Sequence, residues 1–136
     1  MATAATFPSG VAAVRAQILP ADTTTWKDVY DNSAGTKAVR IEGLGITSDD
    51  TSTVNIQFSM LANAVNYNIG TVRAVTLSGT DGAAAKVNAL TSIGTLAPDG
   101  IYDVWVGAGE KLQAKSLVTV TSAKTVTIAG RARLYV

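Results

Sequence analysis

The chain has 136 residues, with 11 Lys and Arg against 10 Asp and Glu, and neither His nor Cys. That length suits one domain, which would bury roughly two-thirds of its unfolded surface and so support a core. A net charge of +1 without a basic run argues against nucleic acid, the lack of Cys excludes disulfides and thiolate metal sites, and the lack of His removes the usual general base and the commonest transition-metal ligand.

Residues 1–10, MATAATFPSG, read as an extended N-terminal arm ahead of a single β domain over residues 11–136. The arm lacks a basic start and a long apolar stretch, so a signal peptide is not expected there. No apolar run approaches the ~18–20 residues of a membrane span, and no membrane partner is expected. VAAVRAQIL (Val11–Leu19) is apolar, a strand or a short helix, stopped by Pro20 and a polar turn over Asp22–Thr25. TWKDVYDN follows, with Trp26 and Tyr30 bracketing Val29, and NSAGTK is a turn. In AVRIEGLGI, Val39 and Ile41 face one side and Arg40 and Glu42 the other. The parity changes at Gly43 or Gly45, as at a bulge.

SDDTS is the next turn. TVNIQFSM (Thr53–Met60) puts Val54, Ile56, Phe58 and Met60 on one face, the clearest strand pattern in the chain. NYNIGTVRAVTL reads as strand with a kink at Gly70, and SGTDG as loop. AAAKVNAL suggests one short helix over residues 82–90, capped by Asp81, with Ala84, Val87 and Leu90 on one face. LAPDG is a turn and IYDVWV a strand, in which Trp105 falls opposite the parity of Val104 and Val106, as a second core face or an interface residue. GAGE turns the chain into KLQAKSLVTVTS and KTVTIAGRARLYV. About eight short strands between Gly, Asn and Asp turns predict an all-β fold: a β-sandwich, jelly roll or small barrel.

Candidate chemistry is sparse. Asp49 and Asp50 are adjacent, and adjacent residues in extended chain point apart, so they do not converge on one ion. Turn capping is the expected role. If they met basic residues of a neighbouring subunit instead, charge reversal would weaken assembly and leave the isolated fold intact. The GLG and GAGE stretches lack the spacing and the strand–loop–helix setting of a phosphate loop. No His can activate the many Ser and Thr, so no enzymatic activity and no cofactor are expected. Trp26, Tyr30, Tyr67, Tyr102 and Trp105 suit core or subunit packing, with a sugar-stacking platform as the alternative. Charged residues make up 15% of the chain, against a usual value of about 25%. A surface so thinly charged is either covered by another protein or filled by Thr, Ser and Asn.

Four stretches carry a resemblance: TTTWKDVYDNSAGTKAVRIEGLGITSDDTSTVNIQFSM (Thr23–Met60), YNIGTVRAV (Tyr67–Val75), SGTDGAAAKVNAL (Ser78–Leu90) and GEKLQAKSLVTVTSAKTVTIAG (Gly109–Gly130). Together, over about four-fifths of the chain, they resemble small structural proteins of tailed-phage and prophage virions, in particular capsid decoration (head-stabilising) proteins. The ending RARLYV departs from the Gly-Asp-aromatic ending of that family. The resemblance implies a virion component made in the host cytoplasm. The preferred expectation is a decoration (cement) protein on the capsid surface, a homotrimer that clamps neighbouring subunits of the major capsid protein. Phe7, Pro8, Val11, Trp26, Tyr30 and Trp105 are the candidate contacts to the capsid or to sister subunits. A tail component (tube, terminator or fibre-associated domain) is the rival, and a carbohydrate-binding β-sandwich module the more distant one.

Overall fold

The computed structural model describes residues 8–50, 52, 54–72 and 87–135. Alternating apolar and polar residues lay these down as strands that bury one side. They are β1 (Pro8–Ile18), β2 (Lys27–Asp31), β3 (Val39–Ser48), β4 (Ile56–Ala62), β5 (Val65–Val72), β6 (Val87–Asn88), β7 (Thr95–Leu96), β8 (Tyr102–Val106), β9 (Lys111–Ser116) and β10 (Val126–Tyr135), with a short helix α1 (Leu90–Ile93). Two antiparallel sheets result. One runs β1-β10-β3-β8-β7 with β6 attached to β3, and the other β2-β9-β4-β5. The expected all-β sandwich is therefore the observed architecture.

The core lies between the sheets. Val14, Ala16 and Ile18 of β1, Ile41 and Leu44 of β3, and Ile128 and Ala132 of β10 meet Ile56 and Phe58 of β4 and Leu112 and Ala114 of β9. Phe58 is fully buried; truncating such a ring to Ala costs about 3–5 kcal/mol. VAAVRAQIL resolves as strand, because its even positions all turn inward against β10.

The parity change in β3 sits where glycine allows it. Arg131 pairs with Gly43 and the next residue, Ala132, with Ile41, so Glu42 is the extra residue of a bulge. Gly130 packs against this bend. A Cβ there would lie 1.7 Å from the carbonyl oxygen of Gly43, so only glycine lets the two strands approach.

Three expectations change. The helix over 82–90 is displaced: Val87 and Asn88 pair with β3, and the helix is Leu90–Ile93, its first N–H bonded to Asn88 Oδ1 at 3.0 Å. Residues 82–86 lie outside the described residues. The apolar spacing of Val87 and Leu90 is real, but Val87 is used by a strand and Leu90 by the core. Residues 8–10 of the expected arm are strand, since Pro8 and Gly10 pair with Tyr135 and Leu134, while residues 1–7, including Phe7, lie outside the description.

The third change concerns Asp49 and Asp50. Asp50 does cap locally, accepting the Ser52 N–H at 2.9 Å. It also reaches across the molecule to Thr121, and Asp49 Oδ1 accepts the Thr125 N–H at 2.7 Å. The pair thus ties the β3–β4 turn to the segment before β10. Burial works against the Asp50 charge, but the N–H groups of Thr121 and Ser52 and the Thr121 hydroxyl outweigh it and hold the carboxyl below its ordinary range. Asp50 is only 1% exposed, so reversing its charge would break the fold itself rather than assembly alone.

Candidate interface surface

Strand pairing places one row of side chains across the outer face of the first sheet. Val11 of β1 stands opposite Arg133 of β10, Arg133 opposite Arg40 of β3, and Arg40 opposite Trp105 of β8. Val11 and Trp105, at the two ends of the row, are 63% and 49% exposed. Trp105 stacks on Tyr135 with ring centroids 5.6 Å apart and planes 23° apart. Lys37 and Ala38 join these rings around a shallow recess of about 390 Å³.

Arg40 holds the middle of the row. Its Nε bonds Asp103 at 2.6 Å, one terminal nitrogen bonds Asp99 at 2.9 Å and the other Glu42 at 3.2 Å. Burial opposes the guanidinium charge, but hydrogen bonds and attraction from Asp99 and Asp103 prevail and raise its pKa above the ordinary arginine value. Arg40 in turn lowers the pKa of Asp99, helped by the Ile101 N–H. Arg133 Nε lies 3.0 Å from Glu42 Oε1, yet its N–H is not aimed at that oxygen and makes no hydrogen bond. Beyond Glu42 the face opens into a groove of about 410 Å³ lined by Glu42, Leu44, Asn88, Leu90, Ile101 and Tyr102.

The outer face of the second sheet is a polar lattice. Gln113 donates to Asp28 at 2.7 Å, and Asn66 donates to Gln113 at 2.8 Å and to Ser59 at 2.7 Å. Lys111 bridges Asp28 and Asp31, and its pKa is raised, by Asp28 first and then Asp31. Lys115 lies over the Trp26 ring, 4.5 Å from its centroid.

The candidate contact residues therefore separate. Val11 and Trp105 share the row on the first sheet, and the backbone of Pro8 pairs beside them with Tyr135. Trp26 belongs to the second sheet, and Tyr30 packs half-buried against the core. Arg15, Arg131, Arg133 and Tyr135 escaped notice in the sequence. Their signal was present in strand parity: in VAAVRAQI and RARLY the apolar partners point inward, which leaves these side chains facing outward. Among the described residues, no group of three or more carboxylates converges as a metal site would require.

No protein-family model and no curated protein sequence matches the chain. Among solved structures it is similar to a chain of the acidic stable capsid structure of Helicobacter pylori bacteriophage KHP30, with a TM-score of 0.59 at 9% identity, covering 97% of this chain and 95% of that one. Two crystal structures of a pentameric capsid protein isolated from metagenomic phage sequences match 89% of this chain, with TM-scores of 0.42 and 0.39 at 20% and 17% identity. The matches cover 59% and 66% of those two chains. They superpose too loosely to carry an argument. The first shows one fold shared over nearly the full length of both chains, and that fold is one a phage capsid structure contains.

Proposed function

We propose that the chain is a structural component of a phage virion, and within the virion a capsid decoration protein. It would sit on the outer surface of the head as a homotrimer and clamp neighbouring subunits of the major capsid protein. The observation that carries this reading is the end-to-end fold match to a chain of the KHP30 capsid structure. The surface supports it. A stacked aromatic pair on the same sheet face as exposed Val11 offers the apolar and aromatic groups that interfaces are built around, and a clamp acts by the area it buries. An N-terminal arm over residues 1–10 that wraps a neighbour would add to that area.

The test is direct. Heads assembled without this protein are incubated with the purified full chain and assayed for bound copies and for resistance to heat. Saturable binding with raised heat resistance supports the reading; Trp105→Ala should then weaken binding while the free protein stays folded, its melting temperature lowered only by the lost stacking on Tyr135. Failure of the wild-type chain to bind such heads, or its recovery only with tails, overturns it. Sedimentation of the free chain as anything other than a trimer removes the trimeric form of the proposal.

A further inference from the structure

The described carboxylates are all engaged within the chain. Asp22 pairs with Lys27, Asp28 and Asp31 with Lys111, and Glu42, Asp99 and Asp103 with Arg40. Asp49, Asp50 and Glu110 accept backbone N–H groups of Thr125, Thr121 and Gly107. The cations are not matched in the same way. Arg15 and Arg131 are exposed, and among the described residues no carboxylate lies in ion-pair range of either.

These two arginines are neighbours. Ala13 stands opposite Arg131, and Arg15 opposite Ala129, so Arg15 and Arg131 are a diagonal pair on the outer face of β1 and β10, about 7–8 Å apart at the backbone. Arg133, half-exposed, continues the line opposite Val11, and Gly43 flanks Arg131 on its other side. The residues directly opposite them in the sheet, Ala13, Ala129 and Gly43, are small, which leaves both exposed arginines open to a planar carboxylate partner.

We infer that the outer face of β1 and β10 docks onto an acidic surface of a different protein subunit, with Arg15 and Arg131 pairing with its Asp and Glu side chains and the exposed row from Val11 to Trp105 extending the contact across the sheet. The inference rests on the capsid reading for its setting and adds the chemistry of the partner. A second copy of this chain suits the face less well, because its described carboxylates already have partners within the chain. Nucleic acid suits it poorly. A few arginines release few counterions, and the face mixes them with exposed apolar and aromatic groups as protein interfaces do.

The experiment uses the full chain and heads assembled without it. Wild-type binding should weaken as salt rises, and Arg15→Glu with Arg131→Glu should weaken it about 30-fold or more, chiefly through electrostatic complementarity lost at the contact. Arg15→Gln with Arg131→Gln should show a smaller loss in the same direction. Lys115→Glu on the other sheet should bind within about 2-fold of wild type, since its charge lies away from the contact. The arginine variants should melt as the wild type does, because among the described residues neither arginine has a carboxylate in ion-pair range. With Arg131→Lys, carbodiimide should join the new lysine to an Asp or Glu of a head protein. Heads that bind wild type and the Glu variant equally overturn the inference and leave the capsid reading standing. So does a crosslink to a second copy of this chain, dissociation of the free oligomer by the charge reversal, or equally tight binding of a DNA duplex that the reversal abolishes. Failure of the wild-type chain to bind heads overturns both.

Discussion

Asp50 and Thr121, 71 residues apart, are joined twice: Asp50 Oδ2 accepts the Thr121 N–H at 2.8 Å, and Asp50 Oδ1 accepts its hydroxyl at 2.9 Å. With Ser52 donating to the same carboxylate, the side chain is fully bonded in a site closed to water. Asp50→Ala removes all three of these part-buried bonds to a charged acceptor, a kind of bond worth about 1.5–3 kcal/mol. The variant should lose about 3 kcal/mol in urea unfolding. Asp49→Ala, which frees one N–H at a half-buried site, should lose less. Equal and small losses for the two would show that the segment before β10 is held by packing alone.

The pH dependence follows from the same carboxylate. Asp50 has a folded pKa below its ordinary 3.8, as do the half-buried Asp22 and the exposed Asp31 and Asp99. The unfolded chain therefore takes up these protons first. Their contribution to stability is complete above the ordinary value and is lost as pH falls through the lower, folded values. Urea midpoints should be level from pH 7 to 5 and decline below about pH 4. Asp50→Asn should flatten part of that decline. A midpoint that rises on acidification would contradict the assignment.

Arg40 and Asp103 test a buried charge pair. Removing Arg40 alone, as Arg40→Leu, strands the buried Asp103 and should cost about 3–5 kcal/mol. Replacing both by Leu should recover part of that loss, because neither charge of the pair remains, although Glu42 is then left with Arg133 alone. Thermal melts of the two single variants and the double variant decide it, and a double variant as unstable as Arg40→Leu refutes the account.

Gly130→Ala should destabilise by about 3 kcal/mol, at the upper end of overpacking effects, since the obstacle is the rigid Gly43 carbonyl. Gly10→Ala, where a Cβ would meet nothing within 4 Å, is the matched control and should be nearly silent.

Much of the fold was legible beforehand because strand alternation is local. Val54, Ile56 and Phe58 declared their buried face, and the β3 bulge announced itself as a change of parity at Gly43 or Gly45, next to the extra residue Glu42. Helix α1 did not, since its four residues are too few to show a period, and it forms because Leu90 and Ile93 find the core. The interface row was half legible. Trp105 stood out by its parity within one strand, but Arg133, Arg40 and Tyr135 become its neighbours only when β10 and β8 pair on either side of β3.

The sequence by itself determined that the chain would form strands with one apolar side, that its turns would use Gly, Asn and Asp, and that chemistry based on His or Cys was closed to it. Each of those follows from residue type or from spacing within a few positions. The tertiary structure alone decided that Asp50 would serve Thr121, that the described acids would find partners within the chain, and that Arg15 and Arg131 would stand together with no described carboxylate in ion-pair range. Register between strands far apart in sequence sets these relations, and no local pattern encodes which strand will lie beside which.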